Sequence, residues 1–123
     1  YAFSSRDGSG AYLDGSKPYK ANIPANPPAN RFWSSVVYDP QTRSMLQSKE
    51  MPYPSKNNKR NPGMVKNSDG STDLYFGPKA PVGKEANWVK TVPGKGWFGI
   101  FRLYGPGQEW FDRTWKLGAI EQL

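Results

Sequence analysis

Carboxylates are the first candidates for acid–base chemistry in this chain, because its 123 residues include neither His nor Cys. That composition excludes the common zinc sites and every Ser-His or Cys-His nucleophile pair. Glycoside hydrolysis by two carboxylates is still open, and it requires a defined separation between them. Asp39 and Asp73 are the catalytic candidates, since both flank strands rich in aromatic residues. A carboxylate-dependent hydrolase acting on glycans is therefore one hypothesis.

The segment NRFWSSVVYDPQTRSML at 30–46 combines an alternating strand pattern with a tight turn. Alternation places Trp33 on one face and Tyr38 on the other. Asp suits the first position of a turn and Pro the next, so DPQT predicts a turn. Asp39, Gln41 and Arg43 could then converge on one rim. The alternative is a turn that only braces itself with these side chains.

Arg102 interrupts the aromatic run WFGIFRLY at 97–104. Alternation places it on one face with Phe98 and Tyr104, and both faces look apolar enough for a central strand. A guanidinium in such a place needs a carboxylate partner or an outlet to solvent. Asp39 and Asp73 are the candidate partners. A structural ion pair and a ligand-facing arginine are both open readings.

Aromatic rings beside charged and amide groups are suited to a polar, ring-shaped ligand. The candidate binding residues of this type are Trp33, Tyr38, Gln41, Arg43, Tyr75, Trp88, Trp97, Arg102 and Tyr104. The first hypothesis is a carbohydrate-related or other small-ligand site. The second is a structural or oligomerisation module in which the same residues form core and braces.

The elements that would position these residues are strands, since helical periodicity is nearly absent and Gly, Pro, Asn and Asp separate short apolar runs. The predicted strands are 10–14, 17–23, 32–38, 42–47, 72–76, 97–104 and 117–122. Asp-Gly pairs at 14–15 and 69–70 predict turns between antiparallel neighbours. One helix is predicted at 109–115, with Phe111 and Trp115 on one face. Pro-rich connections at 25–30, 51–63 and 77–87 are either crossovers or functional surface loops.

Charge and spacing argue against several other classes. The formal net charge is +7, and Lys56, Lys59 and Arg60 form a cluster, but the remaining basic residues are scattered, so nucleic acid is not a favoured partner. No apolar run approaches the length of a membrane span. The acidic segment 67–73 lacks the Gly and Glu positions of a calcium loop, and we expect no metal and no cofactor.

Three strings resemble one bacterial family: PANRFWSSVVYDPQTRSMLQ at 28–47, DGSTDLYFGPKAPVGKEANWVKTVPGKGWFGIFRLYGP at 69–106 and EWFDRTWKLGAIE at 109–121. The chain is similar over about 10–122 to domain of unknown function 1214, a module usually found behind domain of unknown function 1254. The resemblance implies an all-β, antiparallel sandwich of jelly-roll type and a periplasmic or secreted setting. It also implies a glycan-related role, which is analogy from fold.

The same resemblance shapes the expected organisation. We expect a single domain over 1–123 without the N-terminal partner module, and so a fragment or a short homologue. The expected partners are that missing module or another copy of the chain, as in a homo-oligomer. A site between modules would leave apolar surface exposed on this one.

Overall fold

Short aromatic and β-branched runs form most of the strands, because such side chains fit a pleated, half-buried surface. The computed structural model describes residues 2–61 and 63–123. Within these ranges the strands are β1 (Ala2–Ser4), β2 (Tyr19–Ile23), β3 (Ala29–Tyr38), β4 (Ser55–Asn57), β5 (Thr72–Gly77), β6 (Trp88–Lys90), β7 (Phe98–Pro106) and β8 (Ile120–Gln122). A 3₁₀ turn spans Glu85–Asn87, and the helix α1 spans Gln108–Phe111. The predicted all-β class is confirmed, while the jelly-roll connectivity and the single domain stay predictions.

The described strands form two sheets. The first sheet has the order β1-β7-β3-β4, and the second has the order β6-β5-β2-β8. Neighbouring strands are antiparallel except β5 and β6, which are parallel. The β3–β7 pair is the longest and places Ser34 opposite Arg102 and Tyr38 opposite Phe98. The prediction that 97–104 forms a central strand is confirmed, because β7 lies between β1 and β3.

The core lies between the inward faces of the two sheets. Trp33 and Val37 of β3 and Phe101 of β7 are buried there, together with residues of β2 and β5. Trp97 joins the sheets, since its ring packs 4.9 Å from that of Phe76 and 5.7 Å from that of Tyr19. Burial of such large rings supplies much of the hydrophobic stabilisation of a small fold.

Several predicted strands are wrong. Residues 10–14 and 42–47 form no ladder and take part only in isolated bridges, such as that between Tyr38 and Met45. The backbone at 42–47 is instead tied into a turn, in which the amide of Leu46 donates to the carbonyl of Val37. The short strands β1, β4 and β6 were not predicted, because three residues are too few to show a period.

The Asp-Gly turns form, but they do not join antiparallel neighbours as predicted. The neighbours of β2 are β5 and β8, and the turn at 69–70 closes on itself as the amide of Asn67 donates to the carbonyl of Ser71. Two of the Pro-rich connections, 25–30 and 51–63, run between β2 and β3 and around β4 respectively.

The C-terminal helix is shorter than predicted and ends at Phe111. Arg113 has a φ of 59°, a left-handed conformation that stops the helix before Trp115. The predicted common face is therefore wrong, because Phe111 is 65% exposed whereas Trp115 is 8% exposed and packs on Phe101. No helix in the described ranges is long and apolar enough to cross a membrane.

Candidate functional site

The outward face of β3 and β7 carries a ladder of cross-strand pairs. From one end to the other, the pairs are Phe32–Tyr104, Ser34–Arg102, Val36–Ile100 and Tyr38–Phe98. These side chains share a face because residues two apart in a strand point the same way. They are half-buried, apart from Ser34, which is buried. All of them except Ile100 and Phe98 line one groove, here called the outer groove.

An aromatic stack closes each end of the ladder. The rings of Phe32 and Tyr104 are 4.1 Å apart at 20°, and those of Tyr38 and Phe98 are 5.3 Å apart at 11°. Phe32 and Tyr38 are six residues apart in one strand, which corresponds to about 20 Å. The ladder is therefore long enough to contact several linked rings of a ligand.

Arg102 lies between the two stacks. Its Nη2 donates to the hydroxyl of Tyr38 at 3.4 Å, so the guanidinium extends along the face of the sheet. The outer groove encloses about 640 Å³ and is lined by Phe32, Ser34, Val36, Tyr38, Met45, Tyr53, Ser55, Asn57, Arg60, Arg102 and Tyr104. That volume is within the usual range for small-molecule sites. None of the lining residues that the structure describes is acidic.

The Asp39 carboxylate accepts hydrogen bonds within the turn that follows β3. Its Oδ1 accepts the backbone N–H of Gln41 at 2.9 Å, and its Oδ2 accepts from the Nζ of Lys95 at 3.1 Å. These interactions, the Gln41 N–H first, lower the pKa of the Asp39 carboxyl. Asp39 therefore remains ionised at neutral pH and is suited to bracing rather than to proton transfer.

The Asp73 carboxylate accepts hydrogen bonds in the second sheet. Its Oδ1 accepts from the side-chain amide of Asn22 at 2.8 Å and its Oδ2 from that of Asn67 at 3.2 Å. The predicted partners of Arg102 therefore bind other groups.

The structure does not bring Asp39 and Asp73 together. Thr72, next to Asp73, lines a pocket with Trp33 near the start of β3. Asp39 follows the last residue of β3, six residues or about 20 Å farther along the extended chain. Glycosidase carboxylates are at most about 9.5 Å apart. The two residues therefore do not have the placement of a hydrolytic pair.

Gln41 and Arg43 lie at the exposed turn beyond the Tyr38–Phe98 stack. Arg43 has a φ of 57°, and its amide donates to the carbonyl of Asp39 at 2.7 Å. Arg43 also lines a shallow depression with Pro40 and Phe98. The predicted rim therefore forms as a braced turn that borders one end of the outer groove.

The predicted tryptophans are not brought into the outer groove. Trp33 and Trp97 are core residues, and the buried Nε1 of Trp97 has no hydrogen-bond partner among the described residues. Trp88 lies on β6, opposite Tyr75 of β5, and its Nε1 donates to the carbonyl of Gly77 at 3.0 Å. Of the candidate binding residues, the structure unites Tyr38, Arg102 and Tyr104.

Sequence reasoning missed the groove residues Phe32 and Arg60 as site candidates, and also Phe98, whose ring stacks on the groove residue Tyr38. The alternation of 32–38 and 97–104 did place the two phenylalanines on the same faces as Tyr38 and Arg102. What was lacking was the β3–β7 register, which brings each ring opposite its partner. Arg60 comes from the irregular segment after β4, for which the sequence carries no periodic signal.

Other cavities suit the predicted ligand less well. A slot of about 210 Å³ between the sheets is lined mostly by apolar groups, including Ala21, Leu74 and Phe101. A pocket of about 470 Å³ at one end of the sandwich joins Trp33 to Asn58, Asn61 and other polar groups. It contains no aromatic stack. The described residues contain no cluster of acidic side chains that could hold a metal ion.

Comparisons with known proteins agree with this architecture. A family model described as "Protein of unknown function (DUF1214)" matches residues 1–108. The VPA0106 protein of Vibrio parahaemolyticus superposes with a TM-score of 0.81 at 25% identity, covering 99% of this chain and 30% of that one. An uncharacterised protein of Burkholderia cenocepacia superposes with a TM-score of 0.58 at 16% identity, covering 98% of this chain and 34% of that one. No curated protein matches the chain.

Proposed function

We propose that this chain, which belongs to the family described as protein of unknown function (DUF1214), is a β-sandwich module that binds a ring-shaped polar ligand in its outer groove. A carbohydrate or related molecule is the ligand class proposed. One observation carries the proposal: the β3–β7 register aligns two aromatic stacks on either side of Arg102. Apolar and aromatic side chains with a few fixed polar groups among them are the usual lining of small-molecule sites.

A partner module is part of this proposal. The chain spans about a third of the length of the solved proteins that it resembles. The long relatives have room for another module, which could supply a second wall to the open groove. A periplasmic or secreted setting, which the family resemblance implies, also belongs to the proposal.

The proposal is tested by isothermal titration of the chain with a panel of oligosaccharides. Phe32→Ala removes one ring of the first stack, and ring contacts of this kind contribute about 0.5–1.5 kcal/mol. We expect a Kd that is larger by about two- to twelvefold, since 1.4 kcal/mol corresponds to tenfold. Phe111→Ala is the matched control, because Phe111 is an exposed ring on α1, outside the groove.

Thermal unfolding of both variants establishes that they remain folded. Absence of binding by every member of the panel would refute the proposal. Equal weakening by Phe32→Ala and Phe111→Ala would also refute it, because the loss could not then be assigned to the groove.

A structural role is the second candidate function, and the same relative lengths favour it. A half-buried face with four aromatic rings could pack against the rest of a longer protein, or against a second copy of the chain. In that case Tyr38 and Tyr104 would be covered by protein in the longer chain, and saccharides would not bind to this face. Titration of the isolated chain and of the longer protein with the same oligosaccharides distinguishes the two functions, because a face that serves only for packing binds none of them in either form.

A further inference from the structure

The slot of about 210 Å³ lies between the inward faces of the two sheets, on the opposite side of β3 and β7 from the outer groove. It is lined by Ala2 of β1 and Ile120 of β8, and it extends inward to Ser35 of β3 and Leu74 of β5. β3 and β5 are each the third strand from this edge of their sheet. Since neighbouring strands are about 4.8 Å apart, the slot is about 10 Å deep.

Small side chains leave this space open. Of the fourteen lining residues that the structure describes, seven are glycine, alanine or serine. Gly99 of β7 is not required by its surroundings to be glycine, because a Cβ there would lie 3.6 Å from the ring of Trp97, which is an ordinary contact. Native cores contain few voids larger than a water molecule, and each such void lowers stability. A space of this size between the sheets is therefore suited to a ligand.

Ser35 places one polar group inside the slot. Alternation along β3 turns its side chain inward with those of the core residues Trp33 and Val37. The residue is only 7% exposed, and its hydroxyl makes no hydrogen bond to any residue that the structure describes. Buried hydroxyls usually have a partner, because desolvation without one is unfavourable. A ligand with one hydrogen-bonding group would supply that partner.

The volume and the lining restrict the class of ligand. An apolar cavity of about 150 Å³ holds benzene, so the slot has room for one substituted ring or a short alkyl chain. None of the lining residues in the described part of the chain is charged. A charged ligand would therefore lose its hydration without gaining an ion pair, which favours a neutral molecule.

We infer that the slot between the sheets binds a small neutral apolar molecule with one hydroxyl group, such as a phenol or a short alkanol, whose hydroxyl forms a hydrogen bond with Ser35. The apolar part of the ligand contacts side chains of both sheets, among them Leu74 and Phe101. This site is separate from the outer groove, and the inference goes beyond the proposed binding of saccharides.

The experiment is an NMR titration of the isotope-labelled chain, which measures both the affinity and the location of binding. The probes are p-cresol and hexanol, and toluene is the matched analogue of p-cresol without the hydroxyl. We expect saturable amide shifts at Gly99 and Gly118, which line the slot. Binding of either hydroxylated probe at these residues supports the inference, and the tighter of the two shows whether the slot prefers a ring or a chain.

Ser35→Ala tests the hydrogen bond, because it removes the hydroxyl with little change in volume. We expect the Kd of p-cresol to rise about two- to twelvefold relative to that of toluene. Ser34→Ala is the matched control, because Ser34 is the neighbouring serine of β3, is 6% exposed and lines the outer groove. It should leave the Kd of both probes unchanged.

Ala21→Leu tests the location, because Ala21 lines the slot and a larger side chain there should fill it. We expect this variant to bind neither p-cresol nor toluene. Ala86→Leu is its control, since Ala86 is exposed on the 3₁₀ turn and should leave binding intact. Thermal unfolding monitors the fold of every variant, and Ser35→Ala remains decisive if Ala21→Leu does not fold.

Three results would overturn the inference. The first is the absence of shifts at the slot residues with every probe. The second is an equal effect of Ser35→Ala on p-cresol and toluene, because the hydroxyl would then not be recognised. The third is a loss of p-cresol binding caused by Ser34→Ala, because the probe would then lie on the outer face of β3. All three leave the proposed binding of saccharides in the outer groove to its own titration.

Discussion

Asn87 is expected to stabilise the second sheet more than any surface polar group of the chain. Its side chain is 2% exposed and makes three hydrogen bonds. The Oδ1 accepts the Val65 amide at 2.8 Å, while the Nδ2 donates to the carbonyls of Val65 at 2.9 Å and of Asp73 at 2.8 Å. The carbonyl of Asp73 belongs to β5 at a point that β6 does not reach, so Asn87 supplies its partner there.

Asn87→Ala removes these three bonds together. A net contribution of about 1 kcal/mol for each bond, and more where a buried carbonyl is left without a partner, gives a loss of about 3–4 kcal/mol. Such a loss is a large part of the roughly 5–15 kcal/mol that stabilises a typical domain. Asn87→Asp keeps the acceptor for the Val65 amide and loses both donated bonds, so it should also be strongly destabilising.

Urea unfolding followed by tryptophan fluorescence measures this loss, since the core tryptophans report on packing of the sandwich. Gln47→Ala is the control, because Gln47 is exposed and its position lies outside this network. We expect its unfolding free energy to remain within about 0.5 kcal/mol of that of the wild type. A loss below about 1 kcal/mol for Asn87→Ala would refute the reasoning, because the three bonds would then contribute no more than one does.

Two further predictions concern Asp39, at the turn after β3, and Gly15, where the backbone packs closely against residues 92–95. Because the pKa of Asp39 is lowered in the folded state, its ionised form stabilises the fold above the usual carboxyl pKa, and this contribution is lost as the pH falls through the folded-state pKa. The difference in unfolding free energy between the wild type and Asp39→Asn, measured by urea unfolding, should therefore shrink below about pH 4. A difference that stays constant down to pH 2.5 would contradict this prediction. Gly15→Ala should destabilise or unfold the chain, because a Cβ there would overlap the carbonyl of Val92 and lie 2.6 Å from that of Lys95. Gly63→Ala is the control, because nothing lies within 4 Å of a Cβ at that position. Equal melting temperatures for the two variants would contradict the close contact of Gly15 with these carbonyls.

The long strands could be predicted from the sequence because their own alternation specifies them. β3 and β7 show Trp33 and Phe101 facing one way and Tyr38 and Arg102 facing the other, and the structure retains these faces. The three-residue strands could not be predicted in the same way. Their pairing comes from the neighbouring strand, as when Lys56 of β4 pairs with Ser35 of β3.

For the candidate site, the sequence predicts which side chains share a face of one strand, but not which residues of another strand lie beside them. Alternation grouped Arg102 with Tyr104. The position of Phe32 opposite Tyr104 depends instead on the register between β3 and β7, whose paired residues are 60 or more positions apart in the chain. The proposed partnership of Arg102 with Asp39 or Asp73 failed for a similar reason. Carboxylates find the donors that folding places beside them, here Lys95, Asn22 and Asn67.

The outermost strands of the two sheets are all very short. β1, β4, β6 and β8 each contribute three residues to the described sheets. A short edge offers few free backbone donors and acceptors to an incoming strand, which protects against aggregation through edge-to-edge pairing. Growth of either sheet by β-augmentation is therefore disfavoured. Association of this module with the rest of a longer chain, or with another copy, is expected to use the faces of the sheets and the loops rather than their edges.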